Sequence, residues 1–227
     1  MSGPTERREF SPLDRLFARL DLALAVTSGQ RPVPRHSEAK PRPYPPDNAT
    51  EATTAPLDAA ATRHAAGLMR VNHAGEICAQ ALYSGQALTA RNAAVQQAMQ
   101  RAADEELDHL DWCAARLAEL GSGPSKLAPL WYAGSFAIGL AAGALGDRWN
   151  LGFLAETEHQ VEAHLVNHLG RLPAADEASR AIIEQMKKDE AGHAAMAERA
   201  GAAPLPTPVT RLMALTAGVM KFFAYRI

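Results

Sequence analysis

The sequence predicts an all-α protein built on a four-helix bundle. The chain is rich in alanine, and strand-like alternation of apolar and polar residues never extends beyond a few positions. After residue 56, glycine, proline and asparagine breaks separate long segments with helical periodicity. These segments predict helices at about 57–90, 92–120, 127–146, 148–171, 174–200 and 208–225. Asn92 lies where an N-cap belongs, and Gly121 and Gly201 lie where C-caps belong.

Composition excludes several classes of protein. With 47% hydrophobic and 21% charged residues, the 227-residue chain is not disordered throughout. Its net charge of −2 argues against a nucleic-acid binder that works through a basic field. Its two cysteines, Cys78 and Cys113, suffice for neither a disulfide scaffold nor a cysteine-based zinc site, and they fit a reducing compartment.

Residues 1–56 are predicted to be an appendage to a main domain that spans residues 57–227. Nine of the 15 prolines lie in the appendage, and residues 28–56 predict an extended linker. Residues 12–27 predict a short amphipathic helix that either packs on the main domain or contacts a membrane or partner. Its apolar face would carry Leu13, Phe17, Leu20 and Leu24. Neither a secretory signal nor a transit peptide is expected from this composition.

Four helices each place one glutamate in a core-facing apolar stripe, and two of them add a histidine one turn later. The order along the chain is Glu, Glu-x-x-His, Glu, Glu-x-x-His. The glutamates are 30 residues apart in the first half (76 to 106) and 32 in the second (158 to 190), which indicates a duplicated helix hairpin. The six side chains are Glu76, Glu106, His109, Glu158, Glu190 and His193.

Other acids and one further Glu-x-x-His pair lie close to these six in sequence. Glu156 and His159 fall off the apolar stripe of their helix, so we interpret this pair as a solvated chance match. Four acids flank the stripe residues, and they are expected to be solvated, with a role in orienting the histidines as the alternative. They are Asp104, Glu105, Asp108 and Asp189.

The charge of the predicted cluster indicates a pair of metal ions. Four carboxylates in one core would repel each other, and each would cost several kcal/mol to desolvate. Two divalent cations neutralise them. Four glutamates and two histidines are the ligand set of di-iron and di-manganese carboxylate bundles. Oxygen-rich ligation with one imidazole per metal suits iron or manganese better than zinc or copper.

Residues 127–146 contain no charged residue before Asp147. A transmembrane span is rejected, because it would place the four ligand helices on opposite sides of the bilayer. A helix of this length reaches about 30 Å, one bundle length, and so predicts the long crossover of a ferritin-like fold. It is either a simple buried crossover, or a surface that meets lipid or lines a channel for an apolar substrate.

The last predicted helix, 208–225, is also apolar and carries cations near its ends. Its residues include Leu212, Phe222, Arg211 and Lys221. An apolar face with cationic ends favours contact with a membrane surface, and a packing helix is the alternative.

Five segments together carry a family resemblance. They are residues 70–86 (RVNHAGEICAQALYSGQ), 105–109 (EELDH), 130–146 (LWYAGSFAIGLAAGALG), 157–169 (TEHQVEAHLVNHL) and 189–193 (DEAGH). Over about residues 60–227, the chain resembles the demethoxyubiquinone hydroxylases, the di-iron monooxygenases of ubiquinone biosynthesis. Residues 1–56 match this family poorly.

The resemblance implies a ferritin-like bundle bound peripherally to a membrane, with two iron ions as cofactor. It implies that one oxygen atom of O2 is added to the ring of a demethoxy, polyprenylated quinol. By motif position, the iron ligands would be the same six residues. His164 matches a family position near the metal, where it would assist the ligands or transfer protons; a surface histidine is the alternative. Tyr83 falls in the family's Tyr-x-Gly-Gln segment, and it either lines the site, carries an electron or packs in the core.

The expected location is the cytoplasmic face of the cell membrane, because the long mitochondrial presequence of eukaryotic members has no counterpart here. A ubiquinone-biosynthesis complex is a candidate partner, and no nucleic-acid partner is expected. Three alternatives stay open: another di-iron oxygenase such as the tRNA hydroxylase type, an iron-storage or peroxide-scavenging protein, and a non-enzymatic membrane scaffold.

Overall fold

The computed structural model of the chain describes residues 21–28, 39–44 and 57–227, and these ranges contain helices and no strand. The helices of the main domain are α1 (Ala59–Thr89), α2 (Ala93–Glu119), α3 (Ala128–Ala144), α4 (Asp147–Arg171), α5 (Glu177–Arg199) and α6 (Thr207–Ala224). All six predicted helices are confirmed, with ends that agree to within one helical turn. The predicted all-α fold is therefore confirmed.

Caps define where several helices begin and end. The side chains of Asp58 and Asn92 accept hydrogen bonds from backbone amides in the first turns of α1 and α2. Gly121 and Gly201 adopt positive φ angles of 67° and 96° just beyond the ends of α2 and α5. Glycine is favoured in this left-handed region, so both predicted C-terminal stops are confirmed.

Two helix hairpins form the bundle. Helix α1 packs along α2, helix α4 packs along α5, and the two hairpins face each other through α2 with α5 and α1 with α4. The backbones approach more closely within each hairpin than between hairpins. The wider separation between hairpins leaves an interior that side chains from four helices can share.

Helix α3 is the predicted crossover, and it runs against α1 with glycines at the contact. A Cβ atom added to Gly139 would lie 2.1 Å from the carbonyl oxygen of Leu82, and one added to Gly85 would lie 2.5 Å from that of Phe136. Only residues without a side chain allow this approach. Other positions of α3 are exposed, with Leu130 and Ile138 at 60% and 44% exposure.

Helix α6 is fixed to the bundle near its C-terminal end and exposes an apolar face. The guanidinium group of Arg70 donates to the carbonyl oxygens of Gly123 and Tyr225, and the Tyr225 hydroxyl lies 2.7 Å from Nδ1 of His64. Along the rest of α6, large apolar side chains are exposed, among them Leu212, Leu215 and Phe222. Within the described ranges, no helix combines the length and hydropathy needed to cross a bilayer.

Two parts of the N-terminal region contact the bundle. Residues 21–28 are helical, and Val26 packs against Ile77, Leu107 and Leu110. Leu24, predicted on the apolar face of this helix, is instead exposed. The helix is oriented so that Val26 and Leu22 contact the bundle. Residues 39–44 also lie on the bundle. The remaining parts of the predicted helix and linker, 12–20, 29–38 and 45–56, lie outside the described residues, and the division at residue 56 stays a prediction.

Candidate metal centre

A polar layer lies between two apolar clusters of the bundle core. On each of the four bundle helices, the candidate ligands fall between a residue of one cluster and a residue of the other. The first cluster contains Met69, Cys113, Leu165 and Met186. The second contains Ala79, Ala102, Ala155 and Ala197. The apolar stripes seen in the sequence thus continue above and below the layer and bring its polar side chains to one level.

The structure brings all six predicted residues together in this layer. The four glutamates are at most 2% exposed, and the two histidines are also buried. Two groups of potential ligand atoms form, and within each group the atoms lie within 4.8 Å of one another. Both groups share Glu106 and Glu190. The first adds Glu76 and His109, and the second adds Glu158 and His193. Two shared carboxylates flanked by two complete sets are an arrangement for a pair of metal ions.

Both histidines point the same ring nitrogen at the carboxylates. The Nδ1 atom of His109 lies 3.0 Å from Oε2 of Glu106 and 3.2 Å from Oε1 of Glu190. The Nδ1 atom of His193 lies 3.2 Å from Oε2 of Glu190 and 3.5 Å from Oε1 of Glu158. Nδ1 is therefore the atom that each ring offers to a metal, and Nε2 faces away from the layer.

The outward nitrogen of each histidine meets an acid from the opposite hairpin. The Nε2 atom of His109 on α2 lies 3.1 Å from Oδ2 of Asp189 on α5, and Nε2 of His193 on α5 lies 3.3 Å from Oε2 of Glu105 on α2. A ring that donates from Nε2 keeps Nδ1 free for a metal. These bonds fix both the tautomer and the orientation of the two rings.

The prediction that the four flanking acids are solvated is wrong for three of them, and the side chain of the fourth, Glu105, is one-third exposed. Glu105 and Asp189 orient the histidines, and Asp104 and Asp108 are buried. The hydrogen bond from His193 is the largest effect that lowers the pKa of Glu105, to about 2. The sequence does carry a signal for these acids: each stripe Glu-x-x-His is preceded directly by Glu105 or Asp189, and the off-stripe pair is not preceded by an acid.

Burial shifts the ionisation of the layer. Burial, followed by the charge of Glu190, raises the pKa of Glu158 to about 8 and raises that of Glu106 well above its usual range. Burial lowers the pKa of His109, but hydrogen bonds to Asp189 and Glu106 outweigh it and raise this pKa well above its usual range. A layer that retains protons at neutral pH is one that divalent cations can occupy by displacing them.

Two buried carboxylate oxygens supply a further test of the fit to metal. Oε1 of Glu106 and Oε2 of Glu158 accept no hydrogen bond from the described residues. Buried oxygens without a donor are costly, and a divalent cation satisfies them. The donor set of carboxylate oxygens and imidazole nitrogens fits iron or manganese.

Tyr83 contacts the layer directly. Its hydroxyl donates to Oε1 of Glu158 over 2.5 Å, and the side chain is fully buried. Burial, followed by the charge of Glu158, raises its pKa well above the ordinary value, so the phenol stays protonated. The structure thus brings Tyr83 to the site as well as into the core, and its role in catalysis stays a prediction.

His164 lies in the wall of a cavity and belongs to neither group of potential metal ligands. Its ring packs edge-on against His168 with centroids 3.9 Å apart, and burial lowers its pKa to about 3. His164 is half-buried, and Lys221 of α6 lines the same cavity, so the role of His164 stays a prediction. The sequence analysis did not predict a buried position for the neighbouring His168. Its Nδ1 atom lies 2.7 Å from Oδ1 of Asn72 on α1.

An apolar cavity of about 460 Å³ adjoins the polar layer. It lies among α1, α3, α4 and α6, and Glu76 is part of its wall, so the cavity reaches a candidate ligand. Much of its remaining lining is apolar, and the large apolar residues include Leu82, Leu130, Trp131, Ile138, Phe153 and Met220. Its size falls in the usual range for small-molecule sites.

Comparisons with known proteins agree with this geometry. The family model described as ubiquinone biosynthesis protein COQ7 matches residues 63–224. The 3-demethoxyubiquinol 3-hydroxylase of Bordetella avium is 56% identical over 220 residues, 97% of each chain. The protein of that name from Chromobacterium violaceum is 54% identical over 215 residues, 95% of this chain and 100% of the relative. The one from Xanthomonas oryzae is 52% identical over the full length of both chains.

Proposed function

The chain belongs to the ubiquinone biosynthesis protein COQ7 family, and from that premise we propose that it hydroxylates the ring of a demethoxy polyprenyl quinol with O2. It is an oxidoreductase of ubiquinone biosynthesis. The observation that carries the proposal is the contact between two features: a buried layer with two overlapping ligand groups, and an apolar cavity whose wall includes Glu76.

Two iron ions are the proposed cofactor, and when bound they would supply the activation of O2 and the transfer of one oxygen atom. Glu106 and Glu190 would be shared between the ions. Glu76 with His109, and Glu158 with His193, would complete the two sets. Asp189 and Glu105 hold the histidine rings with Nδ1 directed inward, and Tyr83 holds one oxygen of Glu158.

The cavity is the proposed site for the quinol. Its apolar wall would exclude water from the ring, and its polar residues on α1 and α4 include Asn72, Glu76, Thr157, Gln160 and His164. A polyprenyl tail would continue along the apolar residues of α3 and α6. Each buried methylene contributes about 0.8 kcal/mol, so the tail can hold the ring in place without many polar contacts.

The proposed location is the cytoplasmic face of the cell membrane, with the exposed apolar residues of α3 and α6 against lipid. Leu130 on α3 and Leu212, Leu215 and Phe222 on α6 are all more than half exposed. The same two helices form one side of the cavity, and Arg211 and Arg226 lie near the two ends of α6. A lipid-soluble substrate would thus pass from the bilayer to the cavity without crossing water. A ubiquinone-biosynthesis complex stays a prediction.

Anaerobic reconstitution with ferrous iron tests the proposed function. The protein is given a demethoxy quinol in lipid nanodiscs, a reductant and isotopically labelled O2, and the product is analysed by mass spectrometry. We expect two iron ions per chain and one labelled oxygen atom in the product. Hydroxylation without iron, or a product without label, would contradict the proposal.

A matched pair of variants on α4 isolates the ligand assignment. Glu158→Ala should lose hydroxylation and one or both irons, because it removes a ligand of the second group. Glu156→Ala removes the same type of side chain two residues away, from the pair that lies off the stripe. This variant should keep both hydroxylation and its iron content. If Glu158→Ala keeps full iron content and activity, the assignment of Glu158 is wrong.

A further inference from the structure

The two acids that orient the histidines share a single cation. The ammonium group of Lys40 lies 3.2 Å from Oε2 of Glu105 and 3.3 Å from Oδ2 of Asp189. These are the same oxygen atoms that meet Nε2 of His193 and of His109. One ammonium nitrogen is therefore two contacts away from each histidine of the candidate centre.

The segment that carries Lys40 is anchored at Lys40 itself and at a residue that follows it. The indole nitrogen of Trp112 donates to the carbonyl oxygen of Lys40 over 3.4 Å. Further along, the hydroxyl of Tyr44 donates to Glu119 over 3.1 Å, and Tyr44 is buried among core residues. These contacts fix where Lys40 stands along the α2–α5 side of the bundle.

We propose that Lys40 is a positioning residue for both metal-binding histidines, acting through Glu105 and Asp189. The inference rests on the proposed metal function of the layer. Two carboxylates within reach of one ammonium group repel each other when it is absent. Glu105 is one-third exposed, so it can turn to solvent and leave the ring of His193 without its acceptor. Lys40 holds both acids inward, and it links the N-terminal segment to both ligand groups at once.

The sign of the effect on metal affinity separates positioning from simple charge. Removing a positive charge near a metal site strengthens cation binding by Coulomb's law alone. Removing a group that orients the ligands weakens metal binding. The loss is typically about 10-fold to 100-fold when the hydrogen-bond partner of a ligating histidine is mutated. Lys40→Met is therefore expected to bind metal more weakly, against the direction of the charge effect.

The experiment measures Co(II) binding to the metal-free full-length protein by its absorption spectrum. Lys40→Met should bind both Co(II) ions about 10-fold more weakly or worse, and Lys40→Arg should restore affinity because it keeps the charge and the donors. Arg42→Met is the matched control: it removes a cation from the same segment that contacts Asp111 and Glu119, not the acids that hold the histidines. It should bind Co(II) as the unaltered protein does.

Proton NMR of the Co(II) protein supplies a second readout that reports directly on the two histidines. The Nε2–H protons of both ligating histidines should give shifted, exchangeable signals in the unaltered protein and in Arg42→Met. Both signals should exchange faster in Lys40→Met. Unchanged signals together with unchanged or tighter Co(II) binding in Lys40→Met would overturn the role of Lys40 alone. Failure of the unaltered protein to bind two Co(II) ions would overturn the proposed metal function, and this inference with it.

Discussion

The Nε2 atom of His109 lies 3.1 Å from Oδ2 of Asp189, so an acid of the second hairpin orients a candidate ligand of the first. The reciprocal contact joins His193 to Glu105. Each hairpin therefore completes the site of the other, and the bundle cannot present either histidine correctly unless both hairpins are in place.

Asp189→Ala should weaken metal binding by about 10-fold to 100-fold, because His109 loses the acceptor that fixes its tautomer and ring orientation. Titration of the metal-free protein with ferrous iron or Co(II) measures the effect. Glu184→Ala removes an exposed acid from the same helix and serves as the control. Equal affinity in the two variants would show that Asp189 does not orient the ligand.

Tyr83→Phe should destabilise the metal-free protein by about 1–3 kcal/mol, because an oxygen of buried Glu158 loses its donor. Urea denaturation monitored by circular dichroism gives the free energy of unfolding. The same variant should hydroxylate more slowly if the phenol also acts at the site. A free energy of unfolding equal to that of the unaltered protein would mean that this hydrogen bond contributes nothing to the fold.

Gly139→Ala should destabilise the protein by about 1–3 kcal/mol or more, because the added Cβ would lie 2.1 Å from a backbone oxygen of α1. The displaced α3 should also reduce substrate turnover, since α3 forms part of the cavity wall. Gly134→Ala on the same helix meets no atom within 4 Å, and it should be neutral or stabilising by up to about 1 kcal/mol. Thermal denaturation of both variants tests the difference.

The buried ring of His73 should make the fold sensitive to acid. Burial lowers its pKa to about 4, whereas an unfolded histidine titrates near about 6.5. As the pH falls through this window, the unfolded chain binds a proton before the folded chain does, so the free energy of unfolding falls. Between about pH 7.5 and about pH 5.5, His73 lowers the free energy of unfolding by about 1 kcal/mol.

His73→Leu should remove that part of the pH dependence. Urea denaturation of the metal-free variant and of the unaltered protein at both pH values gives the comparison. Identical pH dependence in His73→Leu and the unaltered protein would refute the assignment to His73.

The proposed lipid contact predicts that the double variant Leu212→Glu with Leu215→Glu binds anionic vesicles at least about 10-fold more weakly, because it places charges on the exposed apolar face of α6. Vesicle sedimentation measures binding. Val166→Glu changes an exposed apolar residue of α4 and should bind as the unaltered protein does. If the double variant sediments equally well, α6 is not the lipid-binding surface.

Much of the fold and the six candidate ligands could be predicted from the sequence, for a physical reason. Helical periodicity places residues three and four apart on one face, so a glutamate or histidine inside an apolar stripe must face the core. That rule separated Glu158 from Glu156, two residues away on the same helix. The caps at Asn92 and Gly121 follow from equally local requirements of the backbone.

The contacts between hairpins could not be predicted in this way. The helices that carry Glu105 and Asp189 place these acids beside the stripe, which predicts a solvated position. In the structure, a histidine of the opposite hairpin and Lys40 contact each of them. No local pattern predicts the packing of His164 against His168, and none links Lys40 to either acid.

The sequence by itself determined which side chains face the interior, because burial of a helix face depends on spacing along one chain segment. The tertiary structure decided how those side chains are held: which ring nitrogen faces the carboxylates, which acid meets the other nitrogen, and which cation joins the two acids. Each of these depends on the distance between atoms of different helices, and that distance exists only once the hairpins have packed.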